Sequence, residues 1–382
     1  MNRTALFLVL ASLFAAPTYA QRAGPPSEAR EENEREANDA PPSEKHDEAA
    51  EDPTKLTSAK FAPLAARSLG PAIFSGRVAD IAVNPRDRSE FYIAAASGGV
   101  WKTSNAGVTF RPIFDGEGSF AIGCITLDPS NANTVWVGSG ENNSQRSVSY
   151  GDGVYVSHDG GSSFKNCGLK DSMHIGMIRV DPRDSNVVYV AAMGPLWASG
   201  GDRGLYKTTD GGKTWTRILH VDDDTGVSEV LLDPRRPDTL YAVSYQRRRH
   251  VWTLINGGPG SAIHKSTDGG ATWKKIVNGL PSGDLGRIGI AIAPSRPDTL
   301  YAIVEAERGE GGLYRSLDGG SSWDKRNAYA VSSAQYYSEL FVDPKNAERI
   351  YIMDTLLGRS EDGGKTVTSI EGKYKHVDNH AM

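Results

Sequence analysis

Short apolar segments alternate with polar turns between about residues 74 and 372, and two positions recur at a constant interval. Each apolar segment ends in Asp-Pro or a variant of it, and an aromatic residue follows seven positions after every proline. The prolines are Pro85, Pro129, Pro182, Pro234, Pro294 and Pro344, and the aromatic residues are Tyr92, Trp136, Tyr189, Tyr241, Tyr301 and Tyr351. The constant interval predicts a strand, a fixed turn and a second strand in each of six copies.

After a loop and a third strand, each copy carries a repeated octapeptide that leads into a fourth strand, and residues 266–273 read Ser-Thr-Asp-Gly-Gly-Ala-Thr-Trp. Related copies lie at 103–110, 157–164, 208–215, 316–323 and 360–367. Asp-Gly-Gly predicts a tight hairpin, because glycine accepts a positive φ and Asp bonds to nearby backbone N–H groups. The Ser or Thr hydroxyl can close the same turn, and the final aromatic begins the next strand. The copy at 103–110 is degenerate, and the copy at 360–367 ends on Val367.

A repeat of about fifty residues that carries strands and turns indicates a propeller or a solenoid. The octapeptide resembles the Asp-box, or BNR repeat, of sialidase-like, sortilin-like and xyloglucanase-like β-propellers, over roughly residues 70–370. We therefore predict an all-β propeller of four-stranded antiparallel blades, six full blades plus a partial seventh. The full blades are expected near 74–116, 120–168, 173–220, 226–278, 285–328 and 336–371, with the partial blade at 375–382. The resemblance implies that the octapeptides are structural and lie away from the ligand.

Residues 1–20 combine Arg3, an apolar run and Thr18-Tyr19-Ala20, which is typical of a cleaved secretory signal peptide. A buried N-terminal helix is the alternative. Residues 21–57 are rich in Asp and Glu and poor in large apolar residues, so they predict a disordered acidic tether. An acidic interaction tail is the other interpretation. No transmembrane segment is expected, and the predicted location is secreted or periplasmic.

The net charge of the chain is −5, and the predicted tether accounts for this negative balance, so the rest of the domain is close to neutral. Nucleic-acid binding is not expected, because such proteins carry a basic surface. The only cysteines are Cys124 and Cys167. They are expected on the innermost and outermost strands of one blade, too far apart for a disulfide. We predict two free, buried thiols.

The interval from the aromatic residue to the octapeptide varies between 9 and 25 residues. Strands alternate in direction, so these loops share one rim with the entrances to the inner strands. We call this side the variable rim, and the side with the Asp-Pro turns and octapeptide hairpins the constant rim. Binding usually resides on loops that differ over a rigid scaffold. The sequence therefore predicts ligand contact on the variable rim.

Large polar residues are expected where the inner strands enter the channel on this rim, namely Arg77, His174, Arg287 and Tyr336. Burying a large polar group at a narrow axis is costly unless water, another protein group or a ligand bonds to it. A water-filled channel lined by satisfied polar groups is the alternative to ligand contact. The variable loops add Asn142, Arg146, Trp197, Arg247 and Trp252 as candidate ligand-binding residues. Aromatic rings beside Arg and amide groups suit an extracellular glycan, peptide or protein partner, although loops packing on each other would use the same residues.

The chain ends on a segment with His376, Asp378 and His380, which would share a face if it formed a strand. These residues are candidate ligands of a divalent metal. Asp222-Asp223-Asp224 could similarly help to bind Ca²⁺, but a solvated turn is the favoured interpretation. No other cofactor is predicted. The terminal segment also suggests strand 1 of a seventh blade, with residues 61–69 as a lone outer strand. A fragment of a longer propeller protein is thus expected, with a six-bladed ring and loose tail as the alternative.

Two functions follow from these patterns. The first is a secreted binding propeller, sortilin-like in architecture, that recognises a glycan or peptide. The second is a glycoside hydrolase of the BNR type, either sialidase-like or xyloglucanase-like, with Glu141, Glu305 and Tyr336 as candidate catalytic residues. The sialidase-like Arg-Ile-Pro is absent around Arg77, and the xyloglucanase-like Asp is replaced in Ala96-Ser97-Gly98-Gly99. Hydrolysis needs two suitably placed carboxyl groups, so binding is the favoured prediction.

Overall fold

Six four-stranded antiparallel sheets, arranged as the blades of a propeller, make up the described part of this computed structural model. The structure describes residues 76–370, 372 and 376–382. The predicted signal peptide, the acidic tether and the outer strand at 61–69 lie outside these residues. Helical structure in the described ranges consists of two single turns, at Lys170–Ser172 and Glu307–Gly309. No helix there is long and apolar enough to cross a membrane.

Each blade is built from consecutive strands, and the first strand of each blade lies nearest the channel. Blade 1 contains β1 (Val78–Val83), β2 (Phe91–Ala95), β3 (Gly99–Thr103) and β4 (Arg111–Pro112). Blade 2 contains β5 (Ile122–Leu127), β6 (Val135–Ser139), β7 (Val154–Ser157) and β8 (Lys165–Gly168). Blade 3 contains β9 (Ile175–Asp181), β10 (Asp184–Met193), β11 (Arg203–Thr208) and β12 (Thr216–Leu219).

The second half of the propeller repeats this order with one addition in blade 4. Blade 4 contains β13 (Thr225–Asp233), β14 (Arg236–His250), β16 (Ala262–Ser266) and β17 (Lys274–Ile276), and β15 (Thr253–Asn256) pairs with the end of β14 as an extra hairpin. Blade 5 contains β18 (Leu285–Ile292), β19 (Leu300–Ala306), β20 (Gly312–Ser316) and β21 (Asp324–Asn327). Blade 6 contains β22 (Leu340–Val342), β23 (Ile350–Ile352), β24 (Leu357–Ser360) and β25 (Thr368–Ile370). The predicted all-β propeller with six full blades is thus confirmed.

The predicted partial seventh blade does not form a strand in residues 376–382. This segment instead follows blade 6, where the amides of Asp378 and Asn379 donate to the carbonyl oxygens of Thr355 and Asp354. The expectation that His376, Asp378 and His380 share one strand face was therefore wrong, because the backbone here is irregular and Asp378 has a φ of 73°.

Small residues allow the inner strands to approach one another at the axis. A Cβ atom on Gly123 would lie 2.2 Å from the carbonyl oxygen of Ile175 in the next blade, and one on Gly176 would lie 2.3 Å from that of Ser228. Both distances are far below van der Waals contact, so only glycine fits at these two positions. The close approach brings side chains from different blades together in the channel.

The recurring aromatic residues join each blade to the next. The hydroxyl of Tyr241 in blade 4 donates to the carbonyl oxygen of Gly319 in the blade 5 octapeptide, at 2.8 Å. Lys265 donates to the same oxygen and lies 5.5 Å from the centre of the Tyr241 ring. The same two hydrogen bonds, from a tyrosine and a lysine to one glycine carbonyl oxygen, join two further pairs of blades. Tyr92 and Lys102 of blade 1 donate to Gly160 of blade 2, and Tyr189 and Lys207 of blade 3 donate to Gly269 of blade 4.

Blade 2 uses a different joint. Trp136 replaces the tyrosine and packs edge-to-face on Trp215 of blade 3, with ring centres 6.3 Å apart. The indole of Trp215 donates to the carbonyl oxygen of Cys167 at 2.8 Å. The final aromatic of this octapeptide thus packs against the preceding blade.

All six octapeptides close the same turn. In the copy at 266–273 the amide of Gly270 donates to the hydroxyl of Ser266 at 3.0 Å, and the amide of Thr272 donates to Asp268 at 2.9 Å. The degenerate copy keeps both bonds, since Gly107 donates to Thr103 at 3.0 Å and Thr109 donates to Asn105 at 2.9 Å. An amide oxygen at the third position therefore accepts the same hydrogen bond as a carboxylate.

Cys124 lies on β5 and Cys167 on β8, the innermost and outermost strands of blade 2, and both thiols are free. Cys124 is buried as predicted. Cys167 is only half-buried, so the prediction of two buried thiols was wrong for this residue. The reason is its place on the outer edge strand, which the Trp215 ring covers only in part.

Candidate functional site

A loop of blade 2 closes the channel on the variable rim. The plug loop, as we call residues 140–150, is part of the connection from β6 to β7, and residues 141–144 are buried. The amide of Ser144 donates to the carbonyl oxygen of Gln335 in blade 6 at 2.9 Å. Arg287 of blade 5, which lies opposite blade 2, also donates to this loop at the carbonyl oxygen of Asn142, so the plug loop crosses the channel mouth.

Arg77 of blade 1 holds the start of the plug loop. Its guanidinium forms an ion pair with Glu141 and donates to the side-chain oxygen of Asn142 at 2.8 Å. The Asn142 amide in turn donates to Glu339 of blade 6 at 3.1 Å. Tyr336 lies beside this network, with its ring centre 5.6 Å from the Arg77 guanidinium carbon. Glu141, a candidate catalytic acid, thus has a cation beside it and is 7% exposed.

His174 and Arg287 bind the backbone of the same loop. The Nδ1 atom of His174 lies 2.8 Å from the carbonyl oxygen of Glu141, and Arg287 donates to that of Asn142 at 3.1 Å. Burial and the nearby Arg247 lower the pKa of His174 well below its usual value, so the imidazole is neutral. A neutral ring within reach of a carbonyl oxygen implies that Nδ1 carries the proton and donates.

Arg247 of blade 4 also binds the plug loop. Its side chain is fully buried and donates to the carbonyl oxygen of Asn143 at 2.8 Å, to the hydroxyl of Ser144 at 3.2 Å and to the carbonyl oxygen of Gly194 at 3.1 Å. Burial lowers the pKa of the Arg247 guanidinium to about 9. The neighbouring Arg249 donates to the carbonyl oxygen of Ser144 at 2.7 Å.

The structure therefore brings five predicted ligand-binding residues into one network around the plug loop: Arg77, Asn142, His174, Arg247 and Arg287. Their polar groups bond to the chain itself. The remaining predicted residues lie outside this network, and Arg146, Trp197 and Trp252 are exposed on the variable rim. The exposed rim surface therefore consists of loop side chains above the closed channel.

Exposed aromatic side chains stand on this surface. Tyr150 is 72% exposed, Trp197 is 46% exposed and Trp252 is 82% exposed. Trp252 lies at the tip of the β14–β15 hairpin and stacks on His250, with ring centres 5.2 Å apart and planes 13° apart. Their supporting loops are joined, because the amide of Arg249 donates to the carbonyl oxygen of Leu196 at 2.8 Å. Large exposed rings on braced backbone are typical of a binding surface.

Arg203 fixes the loop that carries Trp197. It is fully buried and donates to the backbone carbonyl oxygens of Met193, Pro195, Ala198 and Gly200, with its Nε lying 2.9 Å from Gly200 and its Nη1 3.0 Å from Met193. The sequence analysis did not single out Arg203. The sequence feature that could have indicated this role is the position of Arg203 at the first residue of a strand, directly after a loop with three glycines.

Glu305 lines a separate cavity of about 330 Å³ between the β14–β15 hairpin and blade 5. Its carboxylate accepts from the Asn256 amide at 3.0 Å and from the backbone amide of Arg287 at 2.9 Å. Burial raises the pKa of Glu305 above its usual value. Asp284 and Glu307 also line this cavity, so it holds three carboxyl groups.

Tyr336 lies between the channel network and the C-terminal segment. Its ring centre is 4.5 Å from that of His380, which also stacks on Tyr337 at 4.9 Å. His380 is 6% exposed, whereas His376 is exposed to solvent. Asp378 accepts from the hydroxyl of Tyr337. The candidate metal ligands thus point to different surroundings, and the described residues contain no group of three His, Cys, Asp or Glu side chains placed to hold a metal ion.

The acidic run before β13 forms a turn. The amide of Asp224 donates to the Asp222 carboxylate at 2.8 Å, and Arg248 forms an ion pair with Asp224 at 3.1 Å. Asp223 lies 4.0 Å from His220. These contacts agree with the solvated turn that the sequence analysis favoured over a Ca²⁺ site.

A second set of polar residues in the channel was not singled out from the sequence. Asp80, Glu229 and Glu339 each stand five residues before a blade proline, on the inner strands of blades 1, 4 and 6. Counting back from the prolines could have found them. Burial raises the pKa of Glu229 to about 7 and that of Glu339 to about 8. These carboxyl groups lie deeper in the channel than the plug loop.

Curated proteins of known activity resemble this chain at low identity. A xyloglucanase from Acetivibrio thermocellus is 23% identical over 83% of the chain and 43% of its own length, and one from a Paenibacillus species is 23% identical over 83% of the chain and 33% of its own length. The photosystem II assembly lipoprotein Ycf48 of a Picosynechococcus species is 26% identical over 39% of the chain and 50% of its own length. No sequence-family model matches.

Solved structures share the fold. The xyloglucanase of glycoside hydrolase family 74 from Xanthomonas campestris aligns with a TM-score of 0.56 and 20% identity, over 75% of this chain and 45% of that one. An ancestral enzyme of the same family aligns with a TM-score of 0.56 and 19% identity, over 79% of this chain and 39% of that one. The chain thus spans less than half the length of the xyloglucanases it matches. At these identities the likeness shows the fold alone.

Proposed function

We propose that this chain is a binding propeller that holds a polysaccharide on the variable rim of blades 2 to 4, outside the cytoplasm. One observation carries the proposal, namely the exposure of Tyr150, Trp197 and Trp252 on loops that are braced against each other. Aromatic rings provide flat apolar faces on which sugar rings stack. The distant xyloglucanase relatives support a polysaccharide as the ligand class.

The repeated octapeptide supports a place for this chain among the Asp-box propellers. Its copies lie on the constant rim, opposite the exposed rings, which agrees with a structural role for the motif. The apolar run in residues 1–20, interpreted as a signal peptide, supports export. Arg146 on the exposed part of the plug loop could add hydrogen bonds to sugar hydroxyl groups.

Affinity electrophoresis and calorimetry with soluble xyloglucan, mixed-linkage glucan and mannan test this proposal. We expect at least one polysaccharide to bind, and Trp197→Ala or Trp252→Ala to weaken that binding about tenfold. Phe110→Ala is the matched control, because this ring is 38% exposed but belongs to an octapeptide on the constant rim. Binding that survives both tryptophan changes, or that the control abolishes in a folded protein, would contradict the proposal.

Hydrolysis is the second candidate, and the Glu305 cavity is the observation that favours it. A buried carboxyl group with a raised pKa can act as a general acid, and Asp284 or Glu307 could serve as the second carboxyl group. Reducing-end release from the same polysaccharides would reveal turnover. Glu305→Gln should abolish that release and leave binding at Trp252 intact, whereas release that persists in this variant would exclude Glu305 as the acid.

A further inference from the structure

The channel contains a second cavity, on the constant rim, which the polysaccharide proposal does not use. It has a volume of about 450 Å³ and lies among the ends of the inner strands. Four prolines of the blade turns line it, Pro129, Pro182, Pro234 and Pro294, so it opens at the rim opposite the plug loop. The plug loop and Arg287 lie above it and block passage to the variable rim.

The walls of this cavity are mostly apolar. Met177, Leu231, Ile290 and Phe341 contribute side chains from four different blades, and Arg179 adds a cation to the wall. An apolar wall of this extent favours a ligand with a hydrocarbon body. The few polar groups then decide which functional group that ligand carries.

Glu229 supplies a polar group without a complete set of partners. The residue is 4% exposed and lines the cavity. Its Oε2 atom accepts from the backbone amide of Ile290 at 2.9 Å, whereas its Oε1 atom is buried and has no hydrogen-bond partner among the described residues. A buried carboxyl oxygen without a donor is unfavourable, so it marks a place where a donor fits.

The other ionisable groups nearby each have at least one partner. Glu339 accepts from Asn142 at 3.1 Å and lies 3.9 Å from Arg287. Both oxygens of Asp80 accept backbone amides, from Ile81 at 2.8 Å and from Ile125 at 3.0 Å. Arg179 donates to the carbonyl oxygen of Ile178 at 3.0 Å. Among the carboxyl groups of the described residues that line this cavity, Glu229 is therefore the one with a fully buried oxygen that lacks a donor.

We propose that the constant-rim cavity binds a small aliphatic primary amine. The ammonium group donates to Oε1 of Glu229, and the hydrocarbon chain packs against Leu231, Met177 and Phe341. An ammonium carries three donors and forms short, strong hydrogen bonds with a carboxylate. An alcohol of the same length would fill the apolar space but lacks the charge, and a carboxylate would meet like charge at Glu229.

Binding of n-hexylamine, hexan-1-ol and hexanoate, each followed by calorimetry and by ligand-observed NMR above pH 8, where Glu229 with its pKa of about 7 is ionised, tests this assignment. We expect saturable one-to-one binding of hexylamine, at least about tenfold tighter than that of hexan-1-ol, as the charge-assisted hydrogen bond requires. Hexanoate should not bind. Equal affinity for amine and alcohol, preference for hexanoate, or absence of saturable amine binding would each overturn the proposal.

Two variants locate the site. Glu229→Gln keeps an oxygen for the Ile290 amide and removes the charge, so hexylamine affinity should fall at least about tenfold. Phe341→Trp adds volume to the cavity wall and should weaken amine and alcohol alike, which keeps the test valid if Glu229→Gln fails to fold. Glu310→Gln, at an exposed glutamate on a variable-rim loop, is the matched control and should bind as the wild type does. Unchanged hexylamine affinity in both cavity variants would show that the amine binds elsewhere.

Discussion

Tyr241 of blade 4 donates a hydrogen bond of 2.8 Å to the backbone carbonyl oxygen of Gly319 in blade 5. The tyrosine is buried, and its hydroxyl is the polar tip of an apolar blade interface. The bond ties the second strand of one blade to the octapeptide turn of the next. The corresponding tyrosines Tyr92 and Tyr189 bond to octapeptide turns in the same way, so the two sequence repeats together make three of the joints between blades.

We predict that Tyr241→Phe lowers the free energy of unfolding by about 1 kcal/mol, the usual contribution of one such bond when the acceptor keeps another donor, here Lys265. Equilibrium unfolding in guanidinium chloride measures this loss. Tyr150→Phe removes a hydroxyl from a ring that is 72% exposed and serves as the control. An equal change in both variants would refute the role of the inter-blade bond.

Glu229 should make stability depend on pH. Its carboxyl pKa is about 7 in the folded protein, above the ordinary value of 4.5, because burial disfavours the charge. The folded state therefore holds the proton more tightly than the unfolded state. Its contribution to stability is complete below about pH 4.5 and is lost as the pH rises towards 7. The loss is on the order of 3 kcal/mol, from about 1.4 kcal/mol for each unit of pKa difference.

Glu229→Gln should remove this part of the pH dependence. We expect the variant to match the wild type near pH 5 and to exceed its stability near pH 8. Denaturant unfolding across this range provides the measurement. Arg179, Arg287, Glu339 and Asp80 also interact with the channel charges and remain in the variant, so the comparison is the difference between the two proteins. A difference that stays constant with pH would contradict the buried, titrating Glu229.

Arg247→Met should loosen the plug loop. The substitution keeps an apolar stem and leaves the carbonyl oxygens of Asn143 and Gly194 without this donor inside the protein. Loss of one partner from a buried charged network costs about 3 kcal/mol. Hydrogen exchange of residues 140–150 should become faster than that of the blade strands. Arg146→Met, at an exposed position of the same loop, is the control, and equal exchange in the two variants would count against the network.

The octapeptide turn should tolerate Asp268→Asn but not Asp268→Ala. Asn105 makes the same turn in the first copy, where it accepts the amide of Thr109 at 2.9 Å, just as Asp268 accepts that of Thr272. Alanine offers no acceptor, so the amide of Thr272 loses its partner. Thermal melting should show a lower Tm for the alanine variant and little change for the asparagine variant. Similar losses for both would mean that the charge of Asp268, rather than its oxygen, holds the turn.

The fold could be predicted because its signals are local and repeated. The constant interval from each Pro to Tyr92, Tyr189 and their counterparts indicates the length of the turn, and the Gly pair in five of the six octapeptides indicates the hairpin. Cys167 shows the limit of this reasoning, because its strand was predicted correctly but its cover depends on how Trp215 packs. Local patterns specify elements more reliably than the burial of one side chain.

The plug loop could not be predicted, because its partners are distant in sequence. Arg77 and Glu141 stood out as polar residues near the axis, but only the assembled ring shows that they pair. Glu229 lies in an apolar strand and gives no local sign that its second oxygen lacks a donor. Trp252 was found more easily, since an aromatic residue in a long loop of variable length is visible in the sequence itself.

The plug loop also bears on the order in which the chain assembles. During synthesis it emerges well before two of its anchors, since Arg247 follows Asn143 by 104 residues and Arg287 follows Asn142 by 145. A nascent chain that holds only the first three blades already has Arg77 and His174 but lacks these donors to the carbonyl oxygens of Asn142 and Asn143. The plug loop can therefore be fully bonded only after the later blades have folded, because those blades supply the remaining hydrogen bonds that bury it.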